Sequence, residues 1–323
     1  MEITGMKKFS ILLIGAIALS GCYKDYVRDY DTDGVFFAYQ YDLRTFVIGE
    51  GASFDVTVAL GGVMQNGRDR AVKLSIDNSL VNGDAYQGMM GSDGVSGDYV
   101  AAAFRSAGVS SLEPLPPGDF TVTGMEGLKI PAGRHTGTVT VRATDALFAD
   151  PNAYKPGYAI GVKIVSADAD EVVEGLDFEV IAVRCENQFF GNWTHHGTLT
   201  VFDESGTQVQ KNRVVGTLAD DSVYLLATED ASTLTCSKMT GVAGGMRLSF
   251  SGNDITVSSM NGSITGSGRF NGAKLLQDRE LYLEYDTPYG SGGRMNVRDT
   301  LCFRNRIRDG VNEWQDENQE HYR

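Results

Sequence analysis

The sequence predicts an all-β protein, a β-sandwich followed by a second antiparallel β domain. Three observations carry that expectation. The 323 residues include 39 Gly, 15 Phe and 14 Tyr and no long Ala/Leu/Glu/Lys run, a balance that favours strands over helices. Most of the chain divides into short runs of alternating apolar and polar residues, broken by Gly, Asn and Asp at the spacing of sandwiches and barrels. The length exceeds that of an ordinary single domain.

The first element is not a strand. Met6–Cys22 reads MKKFSILLIGAIALSGC: two lysines, then an apolar run from Phe9 to Leu19 that is too short to span a bilayer comfortably, then small residues. Met6 begins this signal cleanly, five residues into the chain. Leu19-Ser20-Gly21-Cys22 resembles a bacterial lipobox. That resemblance implies removal of residues 1–21 and acylation of Cys22; an ordinary secretory signal with an incidental cysteine is the alternative. Several acyl chains on one residue would anchor firmly, since each buried CH₂ contributes roughly 0.8 kcal/mol.

Residues 22–34 follow as an acidic tether, YKDYVRDYDTDG after the cysteine. Its acidity just past the lipidation point resembles the export signal of Bacteroidetes surface lipoproteins, which implies an outer-membrane, surface-exposed location. Asp29, Asp31, Asp33 and Gly34 match the first half of a calcium loop. The twelfth position is Gln40 instead of Glu, and a strand begins at Val35, so a solvated tether is the expectation there.

Residues 35–185 hold about nine strand patterns, enough for one complete sandwich. In SFDVTVAL (53–60), Phe54, Val56, Val58 and Leu60 share one face, and Asp55 and Thr57 share the other. TGTVTVRAT (136–144) alternates in the same way. Asn66-Gly67 supplies loop chemistry. Residues 82–117 break the rhythm with Gly and Ser, leave room for a short helix over Tyr99–Ser106, and end at Pro114, Pro116 and Pro117.

PLPPGDFTV, LKIPAGRHTGTVTV and YAIGVKIVSAD resemble a domain of unknown function found in Bacteroidetes surface lipoproteins. The likeness covers residues 31–185, with the 82–117 insertion departing from it. It implies an immunoglobulin-like fold and a setting in glycan-utilisation systems. The motif is structural, with Pro131-Ala132-Gly133 turning the chain between paired strands, and it names no ligand residue.

Residues 186–308 carry roughly eight more strand patterns, which suit a closed barrel or a second sandwich. Gly191-Asn192-Trp193, His195 and Gly197 resemble the first strand of the small lipocalin-like domain that often follows the sandwich in these lipoproteins. Residues 309–323 read as a polar, poorly ordered tail apart from Trp314.

Function enters through charge and aromatics. The net charge of −14 becomes about −15 once Lys7, Lys8 and Glu2 leave with the leader, which argues against nucleic acid and anionic lipid as partners. The family setting implies carbohydrate, held for a partner importer in the outer membrane, and sugars need an exposed ring flanked by polar side chains. Both tryptophans lie in the second domain, so the candidate glycan residues are Trp193, His195, Tyr289 and Trp314. Trp193 also fits a core plug, and alternation puts it on one face with His195, either interior or surface. His195 also fits a hydrogen-bonded structural role, and Trp314 fits a docking anchor. The same sequence also fits a structural or adhesive protein with a protein partner, or a small-molecule carrier using a barrel interior.

No zinc-protease helix, nucleophile elbow or phosphate loop occurs, and nothing matches the catalytic barrel that sometimes accompanies the sandwich family. A non-catalytic protein without a cofactor or metal is expected. Cys185, Cys236 and Cys302 allow one bridge plus a thiol or three separate thiols, and no pairing is assigned. Asp221-Ser222-Val223 and Asp299-Thr300-Leu301 match a short O-glycosylation pattern.

Overall fold

A computed structural model of the protein describes residues 29–91, 97–215 and 223–315. The leader, Cys22 and the Asp221-Ser222 pair lie outside the described residues. Within them the fold is all-β and has two domains, as the alternating runs predict.

The first domain contains β1 (Gly34–Phe37), β2 (Tyr41–Ile48), β3 (Ser53–Gly61), β4 (Arg70–Ile76), β5 (Glu113–Pro114), β6 (Phe120–Thr123), β7 (Lys129–Ile130), β8 (Thr136–Ala143), β9 (Tyr158–Ala167), β10 (Glu171–Val172) and β11 (Phe178–Asn187). One sheet has the order β10-β1-β3-β8-β6 and the other β2-β11-β9-β4-β7, with β5 beside β9. Val56, Val58, Val139 and Val141 from the first sheet meet Ile160, Val162, Ile181 and Val183 from the second in one core. Asp55 and Thr57 are exposed, as their alternation requires.

The insertion forms two helices, Gly83–Gly91 and Gly97–Ala107, where the sequence suggested one short helix. The Asn82 side chain caps the first by accepting from the amides of Asp84 and Ala85 at 2.9 and 3.0 Å. Met89, Val100 and Phe104 pack on Leu43, Ala159, Val180 and Ala182. The helices therefore cover the outer face of the second sheet, and β11 reads as the near-continuous apolar run VIAV because it is buried on both faces.

The Pro131-Ala132-Gly133 turn is held from below by buried Asn66. Its side-chain amide donates to the carbonyls of Ile130, Pro131 and Arg134, and its oxygen accepts from Arg70 Nε at 3.0 Å. Arg70 reaches on to Asp33 at 2.7 Å. The last residues of the tether are thereby fixed to the sandwich, and Asp33 is spent on an arginine.

The second domain contains β12 (Gly191–Phe202), β13 (Gln208–Val215), β14 (Val223–Thr228), β15 (Thr233–Cys236), β16 (Met246–Ser251), β17 (Asp254–Ser259), β18 (Thr265–Phe270), β19 (Glu280–Tyr289), β20 (Gly293–Arg308) and β21 (Val311–Glu313). Strands β12 and β14 to β20 form an antiparallel sheet that closes where β12 pairs with β20, from Asn192–Asn305 to Phe202–Arg294. The open choice between barrel and sandwich thus resolves to an eight-stranded barrel, with β13 paired to the far half of β12. Closure leaves little free edge, and eight strands enclose a space that side chains can fill. Trp193, Leu234, Leu248, Val257, Leu281, Val297 and Leu301 fill it.

The tail expectation is corrected at its start. Asp309 and Gly310, at φ 51° and 77°, turn β20 into β21, as Asp-Gly does in tight hairpins. Glu313 then bonds Arg306 Nε at 2.6 Å. The residues beyond 315 lie outside the described residues.

The two domains share a packed junction. Val47 of β2 belongs to the barrel's apolar cluster. Glu50, in the β2–β3 turn, accepts from Arg279 at 2.8 Å and from Arg306 at 2.6 and 3.1 Å, with all three side chains buried. Burial alone would raise the Glu50 pKa, but the Arg306 and Arg279 guanidiniums outweigh it and hold the carboxyl below its ordinary value.

Candidate functional site

Trp193 faces the barrel interior and is 0% exposed. Its indole N–H donates to the Phe189 carbonyl at 3.0 Å, and Phe303 packs edge-on at 5.5 Å. It is the core plug, and its assignment as a sugar platform is withdrawn because no face of the ring reaches solvent.

His195, two residues along β12, is buried on the same side. Its Nδ1 lies 3.1 and 3.2 Å from the Asp299 carboxylate oxygens, and its ring stacks on Tyr224 at 4.3 Å. Thr240 Oγ1 donates to Asp299 at 3.0 Å and lies 2.6 Å from the Tyr224 hydroxyl, while the Tyr285 hydroxyl donates to the Thr240 carbonyl at 2.9 Å. Burial pushes the pKa of both phenols up, with the Asp299 charge adding to it, so both stay protonated. His195 is thus a buried, hydrogen-bonded histidine, the structural role that the sequence also allows.

Tyr289 and Trp314 are both exposed, at 47% and 58%, but they are far apart. Tyr289 ends β19 opposite Gly293, and Trp314 follows β21 at the other end of β20. Glu313, just before Trp314, pairs with Arg306, so at about 3.3 Å per residue the stretch of β20 between them is on the order of 40 Å. The four candidate residues do not form one site. The three cysteines are free thiols, and among the described residues no group of three or more His, Cys, Asp or Glu could hold a metal.

The structure instead places an open trough of about 760 Å³ on the barrel's outer face, over β17 to β20. Its origin is the β18 sequence TGSGRF. A Cβ on Gly266 would sit 2.4 Å from Tyr285 Cβ, and one on Gly268 would sit 2.5 Å from the Tyr282 carbonyl, so glycine lets β18 lie close on β19. On the outer side the small Ser267 forms the floor.

Register sets the walls. Asp254, Arg269, Tyr282, Thr300 and His196 stand abreast across five strands. The Tyr282 ring is 44% exposed, and its hydroxyl donates to Glu280 at 2.5 Å. That bond to the carboxylate raises the phenol pKa and fixes the ring's edge, leaving its face to solvent. Arg298 is paired with Glu284 at 2.9 Å, whereas no ion pair holds Arg269 among the described residues. The trough therefore combines one ring with planar polar groups that keep unused hydrogen-bonding capacity. The sequence carried the signal: in ELYLEYDT the leucines and Tyr285 alternate inward, so Tyr282 and Glu284 point out. Tyr282 stands on a strand face and is not among the residues that the tryptophan and loop pattern of the sequence singles out.

Comparison with known proteins bears on the fold. Residues 30–171 match a family model whose description is that of an N-terminal domain. The matched stretch lies in the sandwich. A Bacteroides ovatus protein of unknown function is 22% identical, over 90% of this chain and 98% of its own, with a TM-score of 0.60. It shares the fold along its length. A second Bacteroides ovatus protein of unknown function is 9% identical over 89% and 98% of the two chains, with a TM-score of 0.42. An auxiliary nutrient binding protein from Bacteroides thetaiotaomicron is 14% identical over 84% and 96%, with a TM-score of 0.40. No curated protein matches the chain.

Proposed function

We propose that this is a non-catalytic, glycan-binding lipoprotein of the outer membrane, anchored through Cys22 and facing the cell surface. In this reading the sandwich is a spacer, and the barrel's outer face holds oligo- or polysaccharide for a partner importer. The observation that supports it is Tyr282, an exposed ring in a trough walled by Arg269, Asp254, Thr256 and Thr300. A pyranose offers apolar C–H faces to a ring and hydroxyls to side chains around it, so a mixed surface of this kind suits it.

The alternatives draw less from the molecule. The barrel interior is occupied by its own side chains, which gives a carrier little room. The test is retention of the full chain, purified in detergent, on a panel of immobilised neutral polysaccharides. Retention on at least one polymer is expected, with Tyr282→Ala and Arg269→Ala each weakening it about tenfold, or about 1.4 kcal/mol. No retention on any polymer, or retention unchanged in both folded variants, sinks the glycan reading. The anchor is tested in parallel by Cys22→Ser, which is expected to leave the membrane fraction; continued sedimentation with membranes counts against lipidation.

A further inference from the structure

We infer that the barrel's outer face binds its glycan lengthwise, as an extended chain of several sugar units, with Tyr282 and Trp314 as two separate ring platforms. The inference rests on the glycan reading above. With Trp193 sealed in the core, Trp314 is the chain's one exposed tryptophan. It follows two residues after Asn312, whose side-chain oxygen accepts from Asn305 Nδ2 at 2.6 Å, and Asn305 Oδ1 accepts from Asn192 Nδ2 at 3.3 Å. Three amides thus stand in a row at the end of β20 that β21 and Trp314 follow, each with bonding capacity left over.

The row and the trough belong to one face. Between Trp193–Phe303 and Asn192–Asn305 the β12–β20 register shifts by one residue, Arg304. This bulge turns Asn305 outward and Arg306 inward to Glu50. Tyr282 stands abreast of Thr300 on the outer side of the same strand. Thr300 and Asn305 pair with His196 and Asn192, four residues apart on β12, so they stand about 13 Å apart along the sheet, the span of a few sugar units. Between them lie Thr194, His196 and Cys302, which supply a hydroxyl, an imidazole and a thiol to sugar hydroxyls. A short oligosaccharide covers one platform, and a longer chain covers both.

The experiment is titration calorimetry of the full chain in detergent against malto-, xylo-, manno- and cello-oligosaccharides of two to eight units. For the series that binds, affinity is expected to rise at least tenfold between two and six units. Tyr282→Ala should weaken every length, and Trp314→Ala should remove the gain from length while leaving the disaccharide unchanged. Equal affinity for two and six units overturns the lengthwise inference while the glycan reading stands. So does a Trp314→Ala variant that changes no length or all lengths alike; the indole then belongs with exposed Ile307 and Val311 as an apolar edge. If no series binds the unmodified protein, both the inference and the glycan reading fall.

Discussion

Asp299 and Thr300 are neighbours on β20, yet they belong to two polar clusters of opposite character. Asp299 points into the barrel, where His195, Thr240 and Tyr224 bond to it or to one another. Thr300 points out into the trough, beside a ring and a guanidinium that keep open faces and donors. The inner cluster has the residue types usually taken for a site. Its carboxylate and hydroxyls are already bonded, and an unmade buried bond would cost about 1–3 kcal/mol, so it is held in one arrangement. The outer cluster has ordinary residues with unspent capacity. Binding draws on capacity, and on this barrel that lies outside.

Trp193→Ala tests the inner side of this comparison most severely. It removes the largest fully buried side chain of the barrel, together with the Phe189 and Phe303 contacts and one hydrogen bond. A loss of about 3–5 kcal/mol is expected in denaturant unfolding. Whatever fraction remains folded should bind glycan as before. A loss below about 1 kcal/mol, or a selective loss of sugar binding without destabilisation, would show that the ring reaches ligand after all.

The junction sharpens the contrast, because its cluster is spent and charged at once. Glu50→Ala leaves the Arg279 guanidinium buried without a carboxylate and Arg306 with Glu313 alone, for an expected loss of about 3 kcal/mol. The pH dependence has a definite sign. A carboxyl whose pKa is lowered on folding contributes stability that is complete above the ordinary glutamate value of about 4.3 and disappears as pH falls through the lower folded value. Unfolding midpoints measured from pH 7 to pH 3 should fall more steeply for the unmodified chain than for Glu50→Ala. Parallel curves would remove Glu50 from the account of acid sensitivity.

Much of the fold was legible because period two survives in single strands. Phe54 to Leu60 and Val139 to Ala143 show their buried face directly, and Pro131-Ala132-Gly133 marks its turn. The helices over the second sheet were half hidden, because Gly and Ser dilute the apolar positions of 83–107. The hairpin at Asp309-Gly310 resembles a tail in sequence because β21 is short and polar, and its partner Arg306 is recognisable only in space. For the candidate site, alternation correctly joined Trp193 to His195 but could not say whether their shared face was interior. That choice depends on closure between β12 and β20, a contact over a hundred residues apart. Tyr282 was readable by the same alternation, but nothing in one strand shows that Arg269 and Thr300 stand beside it.

The smallest expected effect is the most discriminating. Tyr282 and Trp314 are exposed rings on the outside of a packed barrel, so replacing either with alanine removes little buried area. Substitutions of this kind usually change stability by no more than about 0.5 kcal/mol. Tyr282→Ala also frees Glu280, which sits where water can solvate it, so no buried charge is left behind. Both variants should therefore unfold at the same denaturant midpoint as the unmodified protein while losing sugar affinity. A drop above about 1.5 kcal/mol in either would mean that the ring packs against its neighbours as Trp193 does. Its capacity would then be spent on the fold, and the distinction between the two faces of β20 would fail at that residue.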